Sequence, residues 1–185
     1  MNDQPSLLAA IHEEVRLHDH DPLWPSAFAA ERDRLLSLLA GSFLEVQHIG
    51  STAVPGLPAK PIIDLLGGVS SMAQAESLMD RICSSGYTTS AEFNATLTDR
   101  KWFMRWADGR RTHHLHVVVH HGAAWNERIC FRDALRSQPD VASRYAALKS
   151  RLAEAHATDR EAYTEAKSGF VRSVLALGAS PPSGA

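Results

Sequence analysis

Three groups of residues in this sequence have types and spacings that could do chemistry. The first is the run His48-Ile-Gly-Ser-Thr-Ala-Val-Pro-Gly-Leu-Pro-Ala-Lys-Pro-Ile-Ile-Asp64. An apolar segment leads into Gly50-Ser51-Thr52, a Pro/Gly-punctuated loop presents Lys60, and a second apolar segment carries one acid, Asp64. Glycine lets backbone N–H groups approach an anion closely, so Gly50, Ser51 and Thr52 form a candidate phosphate turn. An acid on a neighbouring strand can hold the divalent ion that accompanies a phosphate. The plainer reading is a tight turn between two strands, with Asp64 capping something local. Against it, an acid inside Ile62-Ile63-Asp64-Leu65-Leu66 is costly to bury without a cation or donors to match it.

The second group is Arg111-Thr-His-His-Leu-His-Val-Val-Val119. Residues two apart on a strand share a face, so His114 and His116 point one way and His113 and Leu115 the other. Neutral imidazoles at that spacing can ligate zinc, manganese or a similar ion. The same pair could instead line a polar pocket without metal, or sit at the surface incidentally. The third group is Arg128, Arg132 and Arg136, a stripe at helical spacing that flanks the apolar face of its helix. Guanidinium groups in a cleft grip phosphate through paired N–H donors, whereas in solvent they would pair with Asp133 or Asp140. Lys149 and Lys167, on later helices, extend the same basic wall or are simply exposed lysines.

Other chemistries find less support. His48 lies near Ser51 and Thr52, but Gly-Ser-Thr is not the Gly-x-Ser-x-Gly elbow of a serine hydrolase. There is no GxxxxGK[ST] phosphate loop. The net charge of −2 gives no global argument for nucleic acid or an anionic membrane. No apolar run approaches the roughly 20 residues a membrane span needs, and the N-terminus lacks the basic and apolar regions of a signal peptide. Cys83 and Cys130, far apart and outside any CxxC spacing, read as buried thiols of an intracellular protein. The expected setting is the cytoplasm.

The elements that must position these groups follow from periodicity. Residues 25–39 read as a helix ended by Gly41, and residues 43–49 and 61–66 as strands, the second apolar on both faces and therefore central. Residues 71–84 form a helix closed by Gly86. Three further strands are expected at 87–93, 101–106 and 112–119, with the Asp108-Gly109 turn signal before the last. Beyond Gly122 the pattern is helical, with a break at Gln138-Pro139. Apolar faces then recur at Val141, Tyr145, Leu148 and Leu152, and again at Tyr163, Ala166, Phe170, Val174 and Leu177. The expectation is an α+β domain: one mixed sheet of about five strands flanked by helices, with a C-terminal run of three helices. The domain should span residues 15–178, between an N-terminal extension (1–14) and a disordered tail (179–185).

The run from His48 to Asp64 resembles the signature of the GrpB family, also called UPF0157. Asp21-Pro-Leu-Trp-Pro, His-His-Leu-His-Val, Phe131-Arg-Asp-Ala-Leu-Arg136, Tyr145-Ala-Ala-Leu-Lys149 and Tyr163-Thr-Glu-Ala-Lys167 are similar to its other blocks, in order. The resemblance implies a nucleotidyltransferase-like fold, and a related domain occurs fused to dephospho-CoA kinase in some bacteria. In that fold Gly50-Ser51 and Asp64 match the expected turn and first acid, but Leu66 stands where a second acid belongs. Two-metal phosphoryl transfer needs more carboxylate than Asp64 alone, and the strand bearing His114 and His116 falls roughly where a third acid would lie. The resemblance therefore implies Asp64, His114 and His116 as ligands of one divalent ion (magnesium, manganese or zinc), with the softer ions suiting the histidines. It implies that Gly50, Ser51, Thr52, Lys60, Arg132 and Lys167 bind a nucleotide, and that Asp64 is the catalytic acid of nucleotidyl transfer to an acceptor. The alternative is a non-catalytic module binding a nucleotide or CoA phosphate in the same cleft. A phosphate-bearing small molecule is the expected partner in both cases, with neither nucleic acid nor membrane.

Overall fold

The computed structural model describes residues 13–178. The expected tail (179–185) and the first twelve residues of the expected extension lie outside the described residues. Within them the chain forms α1 (Trp24–Leu38), β1 (Glu45–Ile49), a 3-10 turn (Ser51–Ala53), β2 (Ile63–Val69), α2 (Met72–Ser77), α3 (Met79–Ser84) and α4 (Ala91–Ala95). β3 (Lys101–Ala107), β4 (Arg110–Val119), α5 (Ala123–Ser137), α6 (Pro139–Ala155), α7 (Arg160–Glu165) and α8 (Ser168–Gly178) follow.

One open mixed sheet has the order β1-β2-β4-β3. β1 and β2 are antiparallel, β2 and β4 parallel, and β3 and β4 antiparallel. The parallel pair needs a crossover, which residues 70–109 supply through α2, α3, α4 and β3. The β3–β4 turn is a two-residue hairpin in which Asp108 (φ 54°) and Gly109 (φ 71°) both take positive φ, as a right-twisted hairpin requires.

Alternation along the strands builds a different core on each face. Leu65, Phe103, Leu115 and Val117 face one way, packed with Leu35 of α1 and Ile82 of α3. Leu66 and Val118 face the other way, against Ile49 and Trp125 of α5. Full burial of each such side chain contributes about 1.5–3 kcal/mol. A third cluster joins Val54 and Leu57 of the loop to Leu135, Val141, Tyr145 and Val174 of the C-terminal helices. The loop is thereby clamped against α6, which carries Lys149, and α8, which Lys167 immediately precedes.

Three expectations need correction. The sheet has four strands, not about five. At residues 87–93 only Thr88 pairs with Met104, and Ser90 then caps α4, its Oγ accepting from Phe93 N at 3.1 Å. Asn94 takes the place of a fifth strand, its side-chain amide accepting from Trp102 N (2.8 Å) and donating to Trp102 O (3.0 Å). The helix expected at 71–84 is two helices, because the Leu78 amide shares Gln74 O and Ala75 O at 3.2 and 3.3 Å in a tightened turn. The expected last helix is also divided: Lys167 N bonds Thr164 O, and the chain restarts as α8.

Candidate metal and phosphate site

β1 is followed by Gly50, which has φ 72° and ψ −172°, a conformation essentially confined to glycine. A Cβ there would overlap Asp64 Oδ2 and lie 3.0 Å from Asp64 Cγ. Glycine is thus needed both for the bend and to let the turn close over the acid. Thr52 is buried and faces inward: its hydroxyl donates to Ile62 O at 3.3 Å. His48 Nε2 lies 3.0 Å from Thr52 Oγ1 and must be the donor, the threonine proton being used. Phe28 stacks on His48 at 4.6 Å, and burial holds this imidazole down to about 4. His48 and Thr52 therefore brace the turn, leaving its backbone and Ser51 toward the cleft.

β2 and β4 are neighbours, and their register sets Asp64 opposite His114 and Leu66 opposite His116. Asp64, His114 and His116 consequently share the face covered by α5. Asp64 Oδ1 lies 2.9 Å from His114 Nδ1 and 4.0 Å from His116 Nε2. One ligand atom from each residue falls within 4.8 Å of the others, and no other such trio of His, Cys, Asp or Glu occurs among the described residues. The carboxylate can only accept and Arg111 can only donate. His114 thus gives its Nδ1 proton to Asp64 and accepts at Nε2 from Arg111 Nη1, 3.3 Å away. His116 Nδ1 is buried without a partner. Burial, followed by the Arg128 charge, holds His116 down to about 3, and burial also lowers His114 against the pull of Asp64. Both rings are neutral at neutral pH, the form that ligates metal, and His114 would exchange its present bond to Asp64 or Arg111 for the ion. Burial alone would raise Asp64, but the His114 hydrogen bond and the positive charge of Lys60 bring it below the usual carboxylate range.

Cations surround this trio. Lys60 Nζ and Lys167 Nζ lie 5.1 and 3.9 Å from the centre of the buried Tyr163 ring. Lys149, 2% exposed, donates to Ser51 Oγ at 3.0 Å and to Pro58 O. Burial, reinforced by neighbouring positive charge, pulls Lys60 and Lys149 to about 7 and Lys167 to about 8. Burial and Arg160 bring Arg111 to about 10. Cations packed this densely around one carboxylate suit a multiply charged anion.

The arginine stripe divides. Arg132 is buried and spends its donors on Gln47 Oε1 (2.7 Å), His48 O (3.0 Å) and Asp133, bracing α5 against β1. Its expected place among the nucleotide-binding groups finds no support in this geometry. Arg136 Nε donates to Ala53 O at 2.8 Å. Arg128 donates to Ala124 O and sets its charge against His116. Leu66 is fully buried with Ile49, Val118 and Trp125, so position 66 supplies no second carboxylate beside Asp64. Sequence reasoning assigned no role to Tyr163, Arg111 or Arg160. The spacing of Tyr163 and Lys167, one helical turn apart, hinted at their contact; nothing local singled out Arg160.

Among the described residues no helix is long and apolar enough to cross a membrane. A sequence profile of the GrpB protein family matches residues 14–177. The glutamate-rich protein GrpB of Alkalihalophilus pseudofirmus is 36% identical over 166 residues, covering 88% of this chain and 94% of that protein. A UPF0157 protein of Pseudomonas aeruginosa is 42% identical over 167 residues, covering 88% and 67%. A dephospho-CoA kinase of Mycolicibacterium paratuberculosis is 29% identical over 180 residues, of which this chain spans 44% of the length. The crystal structure of conserved protein GrpB from Enterococcus faecalis superposes with a TM-score of 0.76 at 32% identity, covering 88% of this chain and 96% of that one. The chain belongs to the GrpB family, also called UPF0157.

Proposed function

We propose that this protein binds a divalent ion on Asp64, His114 and His116 together with a nucleoside triphosphate, and transfers a nucleotidyl group to an acceptor. The observation that carries this reading is the convergence of a carboxylate and two neutral imidazoles beneath a glycine turn walled by Lys60, Lys149 and Lys167. Phosphates would lie on the backbone of Gly50 and Ser51, with Lys60 and Lys167 neutralising them and Lys149 fixing Ser51. Thr52 contributes its backbone only, and Arg132 supports the strand behind the turn. One carboxylate with two imidazoles fits zinc or manganese better than magnesium. Such an ion would neutralise charge on the phosphates, and the chain's own part is positioning and electrostatic stabilisation. A mixed sheet with a Gly-Ser turn on one strand and an acid on the next supports a nucleotidyltransferase-like fold. A cytoplasmic setting accompanies this reading; Cys83 and Cys130 are unpaired, but half-buried and exposed instead of both buried as the sequence suggested.

A second reading has its own support. Leu66 deprives the site of a second acid, and the similarity to part of a dephospho-CoA kinase favours a module that binds a nucleotide or CoA phosphate without turnover. Pyrophosphate release from nucleoside triphosphates with manganese or zinc, alongside calorimetric nucleotide binding, separates the two. Metal-dependent release lost in Asp64→Ala supports transfer. Metal-dependent binding without release supports the module, absence of nucleotide binding contradicts transfer, and absence of CoA binding as well contradicts both.

A further inference from the structure

Beside Lys60 the cleft continues into a pocket of about 330 Å³ that the proposed transfer does not use. Arg16, Lys60, Arg110, Arg111 and Arg160 line it, opposed by Glu13 and Glu14. Two of these cations are built in: the side chains of Arg111, at the start of β4, and Arg160, at the start of α7, are each only 11% exposed. They converge on the Glu13 carboxylate. Arg160 Nη1 pairs with Glu13 Oε2, Arg111 Nε lies 3.6 Å from the same oxygen, and the Arg111 backbone N–H donates to Oε1 at 3.3 Å. The segment bearing Glu13 is anchored just beyond it, where Val15 N donates to Ala157 O at 2.8 Å and His18 bridges to Ala59.

We propose that this pocket is a second anion subsite, built for the phosphate group of a second ligand, and that Glu13 is its occupant in the free protein. A carboxylate and a phosphate present the same pair of oxygens to a guanidinium fork, so Glu13 marks where the ligand's oxygens sit. Its single charge does not match Arg160 and Lys60 together. Arg160 Nη2 is also buried without an acceptor, a donor that a third phosphate oxygen would take. Arg111 reaches the metal-ligand trio through His114 Nε2, so an anion held here lies next to the reacting phosphates of the bound nucleotide. The subsite rests on the transfer reading only for the identity of the ligand, which becomes a phosphorylated acceptor.

Calorimetric titration of the full chain with inorganic phosphate tests this. Glu13→Gln, which removes the competing charge, binds phosphate about tenfold more tightly than wild type. Adding Arg160→Gln cancels that gain. Malonate, the carboxylate probe, gains less than phosphate, and an equal gain would overturn the assignment to phosphate. Unchanged affinity in Glu13→Gln, or a gain that survives Arg160→Gln, overturns the subsite. Should Glu13→Gln fail to fold, Glu13→Asp, with its shorter reach, carries the same expectation at smaller size. Asp64→Ala should abolish metal binding and leave the Glu13 response in place. Metal binding that survives Asp64→Ala counts against the transfer reading, and absence of the Glu13→Gln gain counts against the subsite.

Discussion

Glu31 and Asp64 are acids on opposite faces of the same sheet, and their surroundings differ in kind. Glu31, on α1, is 4% exposed and fully matched: Arg34 (2.6 Å), Arg105 (2.7 Å) and the Tyr87 hydroxyl (2.8 Å) all point at its two oxygens. Its cations are spent on it. Asp64 is about a quarter exposed and has one close partner, His114, while Lys60, Lys167 and His116 stand around it with charge or lone pairs to spare. A buried acid by itself therefore marks nothing. What distinguishes a site is a surplus of opposing groups that the acid leaves unsatisfied, in a place a ligand can enter.

The sharpest way to break this comparison is to remove each acid in turn. Glu31→Ala leaves Arg34 and Arg105 without their anion, and urea unfolding should show a loss of about 3–5 kcal/mol. Metal affinity of the folded fraction should be unchanged. Asp64→Ala should do the reverse, lowering metal affinity about a hundredfold or more by calorimetry while costing less than half as much stability. If Asp64→Ala proved the more destabilising, or Glu31→Ala abolished metal binding, the distinction would collapse.

The two acids stood unequally in the sequence. Asp64 interrupts a strand that is otherwise apolar, so its burial cost was visible at once. Glu31 lies in Ala-Ala-Glu-Arg-Asp-Arg, which reads as an ordinary solvated helical turn, and its partners Tyr87 and Arg105 are 56 and 74 residues away. The face shared by His114 and His116 followed from strand alternation. That they meet Asp64 depended on β2 and β4 being parallel neighbours, which periodicity does not specify but the family resemblance suggested. The arginine stripe was legible as a stripe, yet its targets on β1 and in the turn were not. Arg160 and Tyr163 gained significance only once α7 packed beside Lys60. The fifth strand failed because a side-chain amide, Asn94, satisfied the edge of β3 in place of a backbone.

pH should separate the two regions next. Glu31 is pushed up by burial but held below its ordinary value by the Arg34 and Tyr87 hydrogen bonds. Its stabilisation is fully present above the unfolded glutamate value and is lost as pH falls through the lower folded value. The lysines act with the opposite sign. Lys60 and Lys149 near 7 and Lys167 near 8 bind fewer protons folded than unfolded, so their contribution to stability rises with pH above about 7. Affinity for inorganic triphosphate should weaken over that same rise, as the ammonium groups it needs lose their protons, and binding at pH 8 should take up protons from buffer. Titrations in two buffers of different ionisation enthalpy check this, and pH-independent affinity between 6.5 and 9 would remove the lysines from the site. Lys167→Ala should lower triphosphate affinity about tenfold at pH 7.

A smaller effect concerns the turn. Gly50→Ala combines a φ of 72° with a Cβ driven into Asp64, whereas Gly56→Ala has φ 75° and open space. Both should destabilise by about 1–3 kcal/mol from backbone strain, and Gly50→Ala alone should also weaken metal binding by displacing the carboxylate. Equal metal affinities in the two variants would detach the turn from the acid.

The most direct test of the central claim is calorimetric titration of the full chain with zinc and with manganese, comparing wild type with Asp64→Ala and Glu31→Gln. The site described here predicts one ion per chain in wild type and in Glu31→Gln, and loss of that ion in Asp64→Ala. An ion bound equally well without Asp64, or no ion bound in wild type, would contradict it.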